Sequence, residues 1–217
     1  MKREMKISFI LALVSVFCVC NIQAEITWDS GHHIFSEGSE DYVYMYNEAS
    51  AEIIGGEIWE LYMYNSTTAD ISGGYVSILL GQDTSSVDVY AGSDLYLLRP
   101  NDSSTANVEG GEIDVIFTLG SSVTYIYGGL IDEIDADNLS TLYLYIDNYD
   151  FDPTGGTRGA GLITGTWIDD GGNFSISLQD TDTIEHINFV PEPSTVCMFA
   201  IGGLVVKRLT KKRSKKM

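Results

Sequence analysis

The clearest pattern in this chain is a set of apolar columns that recurs every 18 or 19 residues. Five successive segments place a β-branched residue at one position, and this column contains Ile53, Ile71, Val89, Val108 and Ile126. Two residues earlier, a column of mostly small residues contains Ala51, Ala69, Val87, Ala106 and Thr124. A third column contains Leu61, Leu79, Leu97, Ile116 and Ile134. Columns that persist through five repeats while their neighbours vary predict a stacked core.

The length of the repeat indicates how the chain stacks. Small residues mark one corner of each repeat, at Gly55-Gly56, Gly73-Gly74, Ala91-Gly92, Gly110-Gly111 and Gly128-Gly129. An 18-residue repeat fits one coil of a parallel β-solenoid, in which strands rise about 3.3 Å per residue and coils stack about 4.8 Å apart. Glycine at the corner provides positive φ at little cost. The alignment places the extra residue of the 19-residue repeat near Pro100 to Ser104, so that Arg99-Pro100 would lie at an enlarged corner.

The predicted fold class is therefore all-β, with a parallel β-solenoid of about six coils over residues 25–151. A loop from Asp147 to Gly161 is expected next, followed by strands Leu162–Ile168 and Phe174–Leu178. The Asp169–Asn173 connection is rich in turn residues and predicts a β-hairpin. This cap, over residues 152–189, would cover or extend the open end of the stack.

The N-terminal segment predicts export. Basic residues within the first six positions precede an apolar run over residues 7–20, and Ile22-Gln23-Ala24 offers a cleavage site before Glu25. This is the layout of a secretory signal peptide, here residues 1–24, and it implies the export machinery and signal peptidase as partners. All three cysteines, Cys18, Cys20 and Cys197, lie in the terminal segments. Residues 25–190 therefore contain no disulfide, thiolate metal site or cysteine nucleophile.

Residues 190–217 form a second targeting segment. Val190-Pro191-Glu192-Pro193 precedes an apolar run from Val196 to Val206, and a basic tail extends from Lys207 to Lys216. Pro191 and Pro193 disfavour a helix, so the motif should stay extended and accessible. The apolar run is shorter than the roughly 20 residues that span a bilayer, but the basic tail favours the cytoplasmic side and can extend the span by snorkelling.

This order of motif, apolar run and basic end resembles the PEP-CTERM sorting signal of bacteria. The resemblance implies an exported protein that an apolar C-terminal helix anchors in the membrane at the cell envelope. It also implies an exosortase that processes the chain at or near Pro191-Glu192-Pro193, with release or secretion afterwards. Exopolysaccharide is a further partner that the resemblance suggests. The signature covers about an eighth of the chain and says nothing about molecular activity.

Charge narrows the functional classes. Ten of the 12 basic residues lie in the two terminal segments, so residues 25–190 contain 29 acidic residues against Arg99 and Arg158, a formal net charge of −27. Such a field repels nucleic acid and anionic polymers and attracts cations. Nucleic-acid binding is excluded on this ground.

One outward column predicts a cation site. Glu52, Asp70 and Asp88 share a position in successive coils, and Asn107 follows them. At about 4.8 Å and an effective dielectric of 20, each pair of carboxylates would repel by about 3 kcal/mol before water screens it. Calcium would remove this repulsion, since carboxylate oxygens are its preferred ligands. The alternative is a solvated acidic face. No other cofactor is predicted.

Catalytic chemistry has little support in the sequence. His32, His33 and His186 have no Ser or Asp partner at a recognised spacing, and Arg99 is expected to be a surface charge. We therefore predict no enzymatic activity and no catalytic residues. Tyr44, Tyr46, Tyr62 and Tyr64 are expected to form short ladders that could pack on sugar rings.

Three classes of function follow from these observations. The leading prediction is an acidic, rigid protein of the envelope or extracellular matrix that acts structurally or adhesively. The second is a carbohydrate-binding module that uses the tyrosine ladders. The third is a small polysaccharide lyase or hydrolase, which ranks last because the coils are few and basic groups are scarce.

Overall fold

A computed structural model describes residues 25–169 and 171–191. Within these ranges the chain is nearly all β, and its stacked parallel strands form a β-solenoid of about seven turns. The predicted fold class is confirmed for this part of the chain. The predicted signal peptide, the C-terminal apolar helix and the basic tail lie outside the described residues.

The described residues contain fifteen strands that join in one sheet, and one short 3-10 helix over Thr181–His186. In chain order the strands are β1 (Glu25–Trp28), β2 (His32–Phe35), β3 (Ser39–Met45), β4 (Ser50–Met63), β5 (Thr68–Gly81), β6 (Ser86–Val89), β7 (Ser93–Pro100), β8 (Thr105–Val108), β9 (Glu112–Thr118), β10 (Val123–Ile126), β11 (Leu130–Ala136), β12 (Thr141–Asp152), β13 (Leu162–Trp167), β14 (Asn173–Leu178) and β15 (Ile187–Val190).

Each coil contributes strand to two faces of the solenoid. Face A consists of β2, the first parts of β4 and β5, then β6, β8, β10, the first part of β12, and β15. Face B consists of β1, β3, the later parts of β4 and β5, then β7, β9, β11 and β14. Within each face the strands pair in parallel, so that residues one repeat apart lie side by side.

The core lies between the two faces and is made of the predicted columns. Ile53 pairs with Ile71, and the same register continues through Val89, Val108 and Ile126. All five side chains are fully buried. The column extends to Phe35 at one end and to Leu144 at the other. This stacking confirms the interior that the repeat predicts.

The predicted register is wrong by one residue in the third column. Leu79 pairs with Leu98, which is fully buried, whereas Leu97 pairs with Ile78 and faces outward. The shift arises because the extra residue lies at the corner after Gly92, where Ser93 pairs with Gly74, and not near Pro100 to Ser104. The Ser93 hydroxyl donates to the Tyr90 carbonyl at 2.7 Å and thus closes this enlarged corner.

Arg99 and Pro100 consequently do not form the corner that the sequence predicts. They end β7, where they pair with Leu80 and Gly81. Pro100 is buried, and its carbonyl accepts the Leu119 N–H of the next coil at 3.0 Å. Proline is tolerated here because the strand stops at this residue.

The glycine corners adopt the conformation that the sequence predicts. Gly56 and Gly74 have φ of +80° and +78°. A Cβ built on Gly74 would lie 2.7 Å from the carbonyl carbon of Gly55, because consecutive corners approach backbone to backbone. Only glycine fits both the positive φ and this close approach.

The opposite turn of each coil carries a second ladder, which the sequence interpretation missed. Asn47, Asn65, Asp83 and Asp102 all have φ between +56° and +59°. The Asn47 N–H donates to Oδ1 of Asn65 at 3.0 Å, and the Asn65 N–H donates to Oδ2 of Asp83 at 2.8 Å. Asn and Asp tolerate this left-handed conformation, and here their side chains also bind the turn of the preceding coil. The series continues at Gly120 and Asn138.

A hairpin closes the C-terminal end of the stack, as predicted. The strands β13 and β14 pair antiparallel, while β14 also pairs with β11 of face B. The loop predicted from Asp147 is wrong in its first part, since β12 continues to Asp152 and pairs antiparallel with β13. The hairpin therefore joins the continuation of β12, beyond its face A part, to face B. Trp167 is buried beneath it and donates its indole N–H to the Gly129 carbonyl at 3.1 Å.

The interior columns predict the effect of a core substitution. Ile71→Ala removes a fully buried side chain between two coils and should lower the free energy of unfolding by about 3 kcal/mol. Ile54→Ala is the matched control, because Ile54 is 51% exposed and its loss should cost little. Urea denaturation followed by circular dichroism measures both variants. Equal effects would contradict the proposed interior.

The left-handed turns predict a contrast between two substitutions at one position. Asn65→Ala places a Cβ in left-handed backbone and should destabilise the fold by roughly 1–2 kcal/mol. Asn65→Gly loses the same side-chain hydrogen bond but accepts the conformation, so it should recover most of that loss. Thermal unfolding compares the pair. An alanine variant as stable as the glycine variant would show that φ at this turn is unimportant.

Candidate functional site

The acidic column on face A is assembled as the sequence predicts. Glu52 pairs with Asp70, Asp70 with Asp88, and Asp88 with Asn107. Because parallel strands lie about 4.8 Å apart, the three carboxylates form a single file along the solenoid axis. We call Glu52, Asp70 and Asp88 the acidic file.

Polar partners lie at both ends of the acidic file. His32 Nε2 lies 3.4 Å from Glu52 Oε1, and the Asn107 amide donates to Asp88 Oδ1 at 2.5 Å. Asp70 occupies the middle, where the surrounding coils remove part of its hydration although the side chain remains accessible. This loss of hydration, followed by repulsion from Asp88 and Glu52, raises the pKa of Asp70.

The file does not converge on a point. Among the residues that the structure describes, no three His, Cys, Asp or Glu side chains are grouped so that they could hold a metal ion. Calcium binding by Glu52, Asp70 and Asp88 stays a prediction. The chemistry that the file offers directly is a line of negative charge, which attracts cations from solution.

The predicted tyrosine ladders are present on face B. Tyr44 stacks on Tyr62 with ring centroids 4.9 Å apart, and Tyr46 stacks on Tyr64 at 5.0 Å, both nearly parallel. The Tyr62 hydroxyl donates to Glu60, and this hydrogen bond raises the pKa of Tyr62. Stacked rings cover each other's faces and leave mainly edges and hydroxyls for a ligand. This geometry favours a structural role for these four residues.

A second pair of ladders escaped the sequence interpretation. Tyr125 stacks on Tyr143 at 5.2 Å, and Tyr127 stacks on Tyr145 at 4.2 Å. The sequence does contain a signal for these ladders, since the two tyrosines of each pair are 18 residues apart. Tyr125 and Tyr143 continue the column of the acidic file beyond Asn107.

Three aromatic side chains outside these ladders are half exposed among the described residues, and one of them, Tyr149, stacks on Phe189 with ring centroids 4.0 Å apart. Trp59 and Tyr96 are each 50% exposed. Both lie within face B, between residues that pair in register, and neither belongs to the repeating Tyr-x-Tyr pattern. Ser77, which is buried and small, occupies the corresponding position of the coil between them.

A groove of about 440 Å³ lies farther along face B, between β9, β11, β14 and Thr157. Its lining residues are Asp114, Val115, Asp132, Glu133, Thr157, Ser175 and Ser177. Glu133 accepts a hydrogen bond from the Gln179 amide at 2.8 Å and lies 3.8 Å from the Arg158 Nε. Loss of hydration, then repulsion from Asp132 and Asp94, raises the pKa of Asp114. The sequence interpretation missed this groove because its residues come from four separate segments.

The histidines and Arg99 have structural contacts. The His33 ring stacks on Trp28 at 4.8 Å, and His186 Nδ1 lies 2.9 Å from the Ser140 carbonyl. The Arg99 guanidinium lies over the Phe117 ring, 5.4 Å from its centroid. The Arg99 Nε is nevertheless buried without a hydrogen-bond partner among the described residues.

The C-terminal motif is only partly described. Pro191 is exposed and follows β15 directly, whereas Glu192 and Pro193 lie outside the described residues. Residues 25–169 and 171–191 include no helix that is long and apolar enough to cross a bilayer. The predicted membrane segment falls in the C-terminal part that the structure leaves undescribed.

Comparison with protein-family models, with curated proteins and with solved structures found no match for this chain.

The raised pKa of Asp70 predicts how stability depends on pH. The folded state binds the Asp70 proton more tightly than the unfolded chain does. The stability that this proton contributes is therefore complete below the ordinary pKa of 3.8 and is lost as the pH rises through the folded pKa. Asp70→Asn should therefore raise the free energy of unfolding at pH 7, and the gain should vanish in acid. Urea denaturation in EDTA, at pH 7 and in acid, measures the free energy of unfolding of the wild type and the variant.

Asp169→Asn provides the control, because Asp169 is exposed in the hairpin turn, away from the acidic file. It should change stability little at either pH. Repeating the unfolding with Ca²⁺ tests the calcium prediction, since a bound ion would stabilise the wild type and not Asp70→Asn. A destabilised Asp70→Asn in EDTA would contradict the repulsion.

Proposed function

We propose that this chain is an exported protein of the bacterial cell envelope or extracellular matrix that acts structurally or adhesively. The observation that carries the proposal is the continuous solenoid with acidic side chains in register on its outer surface. A β-solenoid fold of about seven turns is consistent with such a role. Seven steps of about 4.8 Å give a rigid body on the order of 30 Å along its axis.

The terminal segments support the cellular part of the proposal. A signal peptide over residues 1–24 directs export and is removed before Glu25. The PEP-CTERM-like segment holds the chain in the membrane until an exosortase acts at Pro191-Glu192-Pro193. Processing there leaves the protein in the envelope or releases it. Both segments lie outside the described solenoid, apart from Val190 and Pro191.

The acidic surface supports the molecular part. With 29 acids and two basic residues in 25–190, the body repels other polyanions unless cations screen them. Divalent cations can bridge carboxylates of two molecules, since they prefer oxygen ligands from several groups. Adhesion through bridging cations requires no catalytic residue, and we propose a non-enzymatic protein.

Carbohydrate binding is a second candidate, and a specific observation favours it. Trp59 and Tyr96 are half exposed, and neither belongs to a tyrosine ladder. Aromatic side chains of this kind commonly form ligand contacts, because they combine a large apolar surface with a polar edge. This candidate is compatible with an adhesive protein in a polysaccharide matrix.

Mass spectrometry of the intact protein tests the proposal at both ends. Protein from the envelope should begin at Glu25, and protein from the medium should lack the residues beyond the Pro191-Glu192-Pro193 motif. A variant that combines Pro191→Ala, Glu192→Ala and Pro193→Ala should remain bound to the envelope and keep its C-terminus. A species in the medium that retains residues 196–217 would contradict the sorting.

A further inference from the structure

One outward column of face B leads from the exposed aromatics into the groove. Residues on either side of the column pair in register through β4, β5, β7, β9 and β11. The column between these pairs contains Trp59, Ser77, Tyr96, Asp114 and Asp132. It spans four coil steps, about 19 Å in total. We call these five residues the track.

The two aromatic residues of the track differ from the tyrosine ladders in one decisive respect. Trp59 and Tyr96 are two coils apart, about 10 Å, with only Ser77 between them. They are therefore too far apart to cover each other, unlike Tyr44 and Tyr62 at 4.9 Å. Each ring keeps apolar surface available to a ligand.

The far end of the track has polar chemistry. Asp114 and Asp132 line the 440 Å³ groove together with Thr157, Ser175 and Ser177, and the Thr157 hydroxyl donates to Ser177 Oγ at 3.2 Å. Carboxylates accept hydrogen bonds, whereas hydroxyls both donate and accept them. A groove of this volume lies within the range that small ligands occupy. The track thus combines apolar platforms with a concave polar site on one line.

From this arrangement we infer that the track binds a linear glycan laid along the solenoid axis. Alternate sugar rings of an extended β-1,4-linked chain present the same face, and these rings would pack on Trp59 and Tyr96. The next sugars would lie in the groove and donate hydroxyl hydrogen bonds to Asp114 and Asp132. This inference rests on the adhesive function proposed above and gives it a partner.

Charge selects the kind of glycan. Glu57 and Asp94 lie in the neighbouring outward column, so carboxylates lie beside the track as well as within it. An acidic glycan would meet this repulsion along the track, where the nearby Arg158 guanidinium already lies close to Glu133, with Nε and Oε2 3.8 Å apart. A neutral glycan avoids it, and an amino sugar gains attraction. The track therefore fits neutral or amine-bearing glycans and rejects polyuronates.

The same charge disfavours a second copy of this chain as the occupant. Two bodies of formal charge −27 would have to approach face to face without a basic patch on either side. The two basic side chains of residues 25–190 already have partners, since Arg99 lies over Phe117 and the Arg158 Nε lies 3.8 Å from Glu133. A sugar chain has no such barrier.

Tryptophan emission provides a direct measurement on the full chain. Of the three tryptophans, Trp28 and Trp167 are buried and Trp59 alone is half exposed, so a bound sugar should change mainly the Trp59 emission. Three tetrasaccharides are the probes: β-1,4-linked glucose, β-1,4-linked glucosamine and β-1,4-linked mannuronate. The first two should shift the emission, and the third should not.

Variants assign the site independently of fluorescence. In calorimetry, Tyr96→Ala should weaken binding of the neutral probe roughly tenfold, the loss of one stacking contact. Asp132→Asn should weaken the glucosamine probe more than the glucose probe. The control is Tyr143→Ala, which removes a tyrosine of face A that stacks on Tyr125, and it should leave binding unchanged.

Three results would overturn the inference. These are equal binding of mannuronate, unchanged binding by Tyr96→Ala, and Trp59 emission that depends on protein concentration without sugar, which would assign the track to a second copy. If no probe binds while both termini are processed as proposed, only the glycan track fails. If the probes bind while the termini stay unprocessed, the export and sorting proposal fails and the track stands.

Discussion

The in-register parallel ladder between successive coils is the constraint on which the rest of this structure depends. It places each residue beside its counterpart one repeat away, as Ile53 lies beside Ile71 and Asn47 beside Asn65. Like residues are therefore forced together whether they attract or repel. Branched aliphatic side chains gain from this arrangement because they fill a continuous interior. Asparagine gains too, since its side chain can accept a hydrogen bond from the neighbouring turn, and tyrosine rings gain by stacking.

The same in-register pairing is unfavourable for acidic residues. Glu52, Asp70 and Asp88 repel one another because the register places their carboxylates side by side in one column. The fold limits this cost at the two ends, where His32 contacts Glu52 and the Asn107 amide contacts Asp88. Beyond Asn107 the column changes to Tyr125 and Tyr143, which stack. The file stays short because each added carboxylate would raise the electrostatic cost, and its outward position keeps it solvated and available to cations.

Much of the solenoid could be predicted from the sequence because stacked coils require similar residues at positions one repeat apart. The column from Ile53 to Ile126 was readable, and so were the glycine corners and the hairpin. The Leu97 assignment failed since a corner can absorb an extra residue without leaving a mark in the pattern, and only the backbone pairing of Ser93 with Gly74 reveals where it lies. The turns at Asn47 and Asn65 could also have been predicted, because asparagine recurs there one repeat apart and tolerates positive φ. The antiparallel pairing of β12 with β13 could not be predicted, because it breaks the period.

The residues of the candidate site depart from the repeat, and for this reason the repeat pattern in the sequence predicted little of the site. In a repeating fold, a residue that recurs in every coil is explained by its neighbours, as Tyr44 is by Tyr62. A residue that breaks the repeat has no such explanation. Trp59 and Tyr96 break it, and they are half exposed with a small serine between them, at a place where the interior gains nothing from their size. Large apolar surface kept in water carries a cost of hydration that a ligand packed on it would recover. The positions that the stacking does not require are therefore the ones where function should be sought.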